Sequence, residues 1–385
     1  MKGTIKKLTA VLLGLLMVLS LLSACGSSGG SSNSTPSGSD AGSSDVSGKK
    51  QTITLKIGAG HVDTATQWTY AVSKYFEPTV AQRVAEETNY EIEWVEAYGG
   101  TVAKLGEELE GIETGLLDIG LIVYVFEPAK LMPHGMTYRM PFQSADPLIV
   151  SEAAVELFDE FPVFKETMSQ YNMKHLAVLV SDDYNLYTTF PCNTVDDLNG
   201  HKIAGAGANL KWIEGTGAVG VQSNLSDGYT SMQTGVYEGF LNPTVSQWKY
   251  KIHEVGPYLL LGNFGAQIVA GLNINLDTYN KLPEEVRTII EEVAYDTQSW
   301  EANYVIEEYN AMMEELKNDD SVIITQLSQE EKERWANMLP NVVGDDLCVE
   351  LNQNGFDGNA IVSSYYEKLQ AKGYEMVRDW ELPSA

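Results

Sequence analysis

Residues 196–243 read DDLNGHKIAGAGANLKWIEGTGAVGVQSNLSDGYTSMQTGVYEGFLNP. Asp196, Asp197, Asn199 and Gly200 form a polar turn of the kind that Asx and Gly residues favour. It enters a short strand, Lys202 to Gly205. Asn209 to Glu214 reads as the start of a helix, with Trp212 in its first turns. The later part reads as a helix ending at Thr234-Gly235, followed by a strand from Val236 to Phe240. Gly235 is the stop signal, because a glycine accepts the left-handed backbone that closes a helix. Strand, helix and strand in that order mark an α/β lobe.

The same rhythm extends to both sides. Ile53, Leu55 and Ile57 alternate with polar residues over Thr52 to Gly58, which predicts a strand. It leads into Gly58-Ala59-Gly60-His61 and a helix starting near Asp63 or Thr64. Ile92 to Val95 is a second strand. Leu105 to Thr114 is a helix closed by Gly115, and Leu116 to Val125 an apolar run suited to a buried strand. Glu152 to Phe161 is helical and Lys174 to Val180 another strand. Gln247 to Leu260 looks helical, Gly265 to Leu276 is a long apolar strand, and Val322 to Thr325 a late one. Pro283 to Leu316 keeps a helical pattern for more than thirty residues, through Val286, Ile289, Ile290, Val293, Trp300, Tyr304, Val305, Met312 and Leu316. In open α/β sheets ligands bind in loops beyond the carboxyl ends of strands. His61, Gln67 and Trp68, after the first strand, are therefore site candidates.

The first fifty residues have another character. Lys2, Lys6 and Lys7 precede an apolar run, Leu8 to Leu22, which ends in Leu22-Ser23-Ala24-Cys25. That is a signal peptide over residues 1–24 with a small-residue cleavage site before a cysteine, and it makes Cys25 the lipidated first residue of a bacterial lipoprotein. Residues 25–50 are almost entirely Ser, Gly, Asn, Thr, Pro and Asp, too polar to bury a core, and predict a disordered tether. Lipid and tether place the folded part outside the cytoplasmic membrane, periplasmic or at the cell surface. A formal net charge of −28 at pH 7 speaks against a nucleic-acid partner. Beyond Cys25 only Cys192 and Cys348 occur, without metal-ligand spacing; the sequence leaves their pairing open. No H-E-x-x-H motif is present and no G-x-S-x-G outside the Ser/Gly-rich segment, and no enzyme, metal or cofactor is expected.

The wording of the opening stretch is more specific than its physics. Asp197, Leu198, Gly200, Lys202 and Ile203, then Tyr229, Gln233, Gly235, Gly239, Asn242 and Pro243, resemble the frame of the solute-binding proteins of tripartite ATP-independent periplasmic (TRAP) transporters, the DctP family. LGEELEGIETGLLDIG at 105–120, Pro141-Phe142 and LPEEV at 282–286 extend the resemblance over roughly residues 52–375. It implies a two-lobed α/β fold of the periplasmic-binding-protein type, with a hinge and one long helix across both lobes. Lobe I is expected over 51–181 plus about 268–310, and lobe II over 182–267 plus about 311–385. It also implies a monomeric, non-enzymatic protein that closes on a small-molecule ligand and delivers it to separate membrane subunits. A sensor that presents ligand to a membrane receptor is the alternative.

The resemblance adds Tyr124 and Phe126, Tyr184 and Tyr187, Asn209 and Trp212, Asn242 and Gln267 to the candidate cleft. The family's arginine, which clamps the ligand carboxylate, falls on Ala204. The six aromatics Trp68, Tyr124, Phe126, Tyr184, Tyr187 and Trp212 suit an apolar, aromatic or quaternary ammonium ligand instead.

Overall fold

The computed structural model describes residues 50–384. The signal peptide, Cys25 and the tether up to residue 49 lie outside the described residues. Eleven strands follow in chain order: β1 Gln51–Gly58, β2 Tyr90–Ala97, β3 Ile119–Val123, β4 Met173–Val180, β5 Tyr184–Thr188, β6 Lys202–Gly205, β7 Val219–Gln222, β8 Gly239–Pro243, β9 Tyr258–Leu261, β10 Ile268–Asn275 and β11 Ile323–Gln326.

They form two sheets, one per lobe. The first has the order β2-β1-β3-β10-β4 and the second β11-β9-β5-β8-β6-β7. Each sheet contains one reversed strand: β10 runs antiparallel to β3 and β4, and β5 antiparallel to β8 and β9. Those two strands are the first stretch of chain after each crossing between lobes. The chain crosses at 181–183 and again at 262–267. Both β5 and β10 are buried along their whole length, as strands covered on both faces must be.

The two crossings are bonded to each other. Ser181 N–H donates to Gln267 O at 2.9 Å, Tyr184 N–H to Gly265 O at 3.2 Å and Phe264 N–H to Tyr184 O at 3.2 Å. The Asp183 carboxylate accepts from Gly265 N–H at 2.9 Å and from the side-chain amides of Asn185 at 2.9 Å and Asn263 at 2.7 Å. Gly265 has φ +108°, and a Cβ there would stand 2.4 Å from the Gln143 side chain, so only glycine fits the crossing.

The long helix spans Glu284–Lys317, against an expected Pro283 to Leu316. β4 is the edge of the first sheet, and its outward N–H groups need partners. The helix supplies them: Gln298 Oε1 accepts from Val178 N–H at 2.9 Å and Glu301 Oε2 from Val180 N–H at 3.0 Å. Further along, Glu308 pairs with Lys249 of the second lobe at 2.7 Å, so the helix touches both lobes.

Three strands escape the sequence reading: β5, β7 and β9. The helix expected over Gln247 to Leu260 ends at Lys249. Lys251 then takes φ +62°, and Tyr258–Leu261 pairs with β5. Gly256-Pro257 breaks the helical pattern, and Leu259, Leu260 and Leu261 are buried strand residues. The segment expected as a helix at Asn209 is a 3-10 turn, Ala208–Ile213. The strand expected at Val236 to Phe240 sits three residues later.

The C-terminal helix Gly358–Ala371, assigned by sequence to the second lobe, packs on Pro147–Glu160 of the first. Ser364 donates to Glu160 at 2.8 Å, Lys372 pairs with Glu152 and Glu156, and Tyr365 donates to Gln143 at 2.6 Å. Arg378 then returns to the second lobe, donating to the Ala336 and Leu339 carbonyls at 2.7 Å. Cys192 and Cys348 are both buried and free.

Asp183→Ala strands the Gly265 and Asn263 donors at the crossing. An unsatisfied buried donor costs about 1–3 kcal/mol, so urea unfolding should show a loss of about 3 kcal/mol; a loss under about 0.5 kcal/mol would contradict this account of the hinge.

Candidate functional site

The carboxyl ends of the strands from both sheets face one another across a cavity with about 20 Å³ of free space, room for about one water. From the first lobe come His61 after β1, Trp68 on the helix Gln67–Ala71, and Val123, Val125 and Phe126 at the end of β3. Tyr184 opens β5, Ala206 follows β6, and Asn242 and Pro243 end β8. The Trp68 helix is aimed by its cap, Thr66, whose hydroxyl accepts from Thr69 N–H at 3.4 Å.

Three buried polar atoms at this cavity have no partner among the described residues: His61 Nδ1, Trp68 Nε1 and Asn242 Nδ2. Such atoms cost about 1–3 kcal/mol each when left unmade. His61 and Trp68 meet edge to face, with ring centroids 5.7 Å apart. Burial pushes the His61 pKa down to about 4, so the ring is neutral near pH 7. No Lys, Arg, Asp or Glu lines the cavity.

Five of the eleven sequence candidates are brought together here: His61, Trp68, Phe126, Tyr184 and Asn242. The other six lie nearby in other roles. Gln67 bridges the lobes behind the cavity, donating to Asp182 at 2.7 Å and accepting from Ser246 at 2.8 Å. Tyr124 turns into the first lobe's core, 5.1 Å from the His134 ring. Tyr187, three residues along β5 from Tyr184, falls on the opposite face by strand alternation. Asn209 donates to Leu241 O at 3.0 Å and ties β8 to the 3-10 turn. Trp212 donates to Tyr138 O at 2.9 Å and packs on Tyr184 and Phe264. Gln267 is held by Gln143 and by Gly265 O in the hinge. Ala204 is fully buried in β6, and Ala206, two residues on, lines the cavity in its place.

Sequence reasoning missed Tyr138, Asn224, Leu225 and Val269. Asn224 carried a legible signal, since it caps the helix Leu225–Gln233 by accepting from Asp227 N–H. Tyr138 carried none; a short 3-10 helix, Met136–Arg139, delivers it.

Val125 and Ala206 also line a groove of 580 Å³ at the cleft mouth, where Arg139 pairs with Glu350 and Lys211 with Glu214 and Asp346. A 490 Å³ groove lined by Phe158, Lys174, Tyr279 and Glu291 belongs to the first lobe and the long helix alone. Neither size nor a two-lobed lining, which the groove at the mouth shares, singles out the interlobe cavity; its buried, unpartnered polar atoms do. Among the described residues no group of three or more His, Cys, Asp or Glu is placed to hold a metal ion.

Residues 60–345 match the bacterial extracellular solute-binding protein family 7, DctP. The chain belongs to that family. DctP proteins bind solutes and are not enzymes. A marine metagenome TRAP solute-binding protein specific for aromatic acid ligands, solved with 3-hydroxybenzoate, superposes with a TM-score of 0.73 at 20% identity, covering 84% of this chain and all of that one. The ectoine-binding protein of Halomonas elongata superposes at 0.68 with 16% identity, covering 83% of this chain and all of that one. The C4-dicarboxylate-binding protein DctP of Rhodobacter capsulatus is 27% identical over 126 residues, 33% of this chain and 38% of that one, so the matched stretch spans well under half of it. The DctP fold is two-lobed in these structures, as it is here. Among the described residues no helix is long and apolar enough to cross a membrane.

Asp182, which holds Gln67 and also accepts from Val245 N–H at 2.9 Å, is raised by burial from 3.8 to about 7. Asp183 is raised, again by burial first, to about 6. A carboxyl whose pKa is higher folded than unfolded binds its proton more tightly in the fold. Its contribution to stability is present below the unfolded value and is lost as pH rises through the folded one. The stability advantage of wild type over Asp182→Asn should therefore shrink as pH rises from about 4 to about 7. Urea midpoints of both proteins across that range measure it, and a difference independent of pH would contradict the shift.

Proposed function

We propose that this chain is the ligand-capturing component of a TRAP-type transporter, a lipoprotein held outside the cytoplasmic membrane through Cys25 and its tether. It captures a small organic molecule between its lobes and presents the closed form to the membrane subunits. The observation that carries this reading is the cavity itself, whose walls come from both lobes and which exists only where they meet. Hinge closure around a ligand is the motion such a layout supports. Family membership and the likeness to solved TRAP solute-binding proteins agree with it.

The ligand is atypical in this reading. A buried carboxylate needs a bidentate guanidinium or an equivalent, and the position that the resemblance gives to the family's arginine is Ala204. Ligand contacts fall to His61, Trp68, Phe126, Tyr184 and Asn242.

Differential scanning fluorimetry against a metabolite library tests the capture. A ligand at about 100 times its dissociation constant should add about 2.7 kcal/mol of stability, and Asn242→Leu should abolish the shift. Succinate, malate and fumarate should give little; a dominant shift from any of them would overturn the atypical ligand. Small-angle scattering of the protein with and without its best hit should show compaction, and an unchanged profile at saturation would count against closure.

Metabolic labelling with a fatty acid should mark wild type and not Cys25→Ser. An unlabelled wild type would remove the lipid anchor.

A further inference from the structure

We infer that the ligand of this cleft is an uncharged, planar cyclic amide: a ring carrying C=O beside N–H, with no carboxylate. The inference rests on the reading of the cavity as the ligand site, which in this closed arrangement has room for about one water, and adds the chemistry of the ligand that the lobes open to admit.

The first argument is electrostatic. No ionisable acid or base other than His61 and tyrosine lines the cavity, and burial keeps His61 neutral. A carboxylate enclosed here would lose its water without gaining a counter-ion, one of the costliest exchanges in a protein interior. The nearest cations along the adjoining groove offer no rescue. Arg139 is engaged by Glu350 and Lys211 by Glu214 and Asp346, and Asp345 adds another acid to the same wall. An anion reaching out of the cavity would meet more acid than base.

The second argument is the hydrogen-bond pattern. Indole Nε1–H of Trp68 only donates, and the Asn242 amide nitrogen also donates. Both are buried and unpartnered. We take neutral His61 in the tautomer with its proton on Nε2, which leaves Nδ1 an acceptor. The site thus asks for carbonyl oxygen toward Trp68 and Asn242 and for one N–H toward His61. Trp68 and His61 are neighbours, with ring centroids 5.7 Å apart, so a donor and an acceptor adjacent on the ligand can serve both. Adjacent C=O and N–H is an amide.

The third argument is shape. The Tyr138 and Tyr184 hydroxyls bond to each other at 3.3 Å and their rings stand at 88°. The two tyrosines spend their polar ends on one another and offer ring surface. Phe126, Leu225 and Val269 complete apolar walls. Flat ring faces and aliphatic edges fit a planar body.

Matched neutral and anionic probes test the inference by isothermal titration calorimetry: uracil against orotate, and nicotinamide against nicotinate. The neutral member of at least one pair should bind at least tenfold more tightly than its acid. Trp68→Phe keeps a six-membered ring but removes the donor together with the pyrrole part of the indole, so it should weaken the neutral probe about three- to tenfold. The neutral members of the pairs should lose more than their acids; a merely structural Trp68 would weaken all four probes by the same factor. Tighter binding of either acid, no effect of Trp68→Phe on the neutral probe, or no binding by any of the four probes would overturn the inference. The site reading fails separately: 3-hydroxybenzoate binding abolished by Asn242→Leu would overturn the ligand class and leave the cleft standing, whereas library hits indifferent to both Asn242→Leu and Trp68→Phe would overturn the cleft.

Discussion

Everything in this molecule hangs on the place where two passages of the backbone between the sheets, after β4 and after β9, lie side by side. At the passage the two segments bond to each other and to one carboxylate, Asp183. The crossing leaves two strands reversed, β5 and β10, and each is buried in the middle of its sheet. Because the segments are short and mutually bonded, the lobes meet in a limited set of arrangements. That constraint is what allows His61 and Trp68 of one lobe to face Asn242 of the other across a space of only about 20 Å³.

The long helix and the C-terminal segment add two more straps. Gln298 and Glu301 satisfy the open edge of β4, so the helix is fastened by backbone donors of the first lobe, and the Lys249–Glu308 pair reaches the second. Buried carboxyls accumulate around these fastenings. Asp182, Asp183 and Glu301 are all raised by burial. They accept from backbone and amide donors with no close cation bonded to them, so their contribution to stability depends on pH. The cavity is treated differently: its polar groups are uncharged, and three of their atoms have no partner among the described residues. Polar groups are spent on the hinge and left available in the cleft.

How much of this was legible beforehand differs by region. The strands β1, β4, β6 and β10 and the long helix stood out because each carries its period over enough residues to be read alone. The cavity lining was legible where a residue's place follows from its position after a strand, as for His61 and Trp68, and through the family resemblance for Asn242. It was not legible for Gln67, Asn209 and Gln267, polar residues in the same regions that the structure uses as braces. A side chain's choice between a brace and an open cavity depends on what stands 100 or more residues away, as Ser246 stands from Gln67.

The sequence by itself determined the α/β class, the family frame, the leader pattern ahead of Cys25 and the absence of an arginine at position 204, because these are properties of local order and residue identity. Only the tertiary structure decided that Ala206 and not Ala204 faces the cavity, that Tyr138 arrives from a short 3-10 helix, and that the helix Gly358–Ala371 returns to the first lobe. It also decided which three polar atoms at the cavity are left without partners. The physical reason is common to all of these. They are set by the register of strands and the meeting of lobes, which depend on contacts between residues far apart in the chain, and a one-dimensional pattern holds no record of which of its apolar faces meets which.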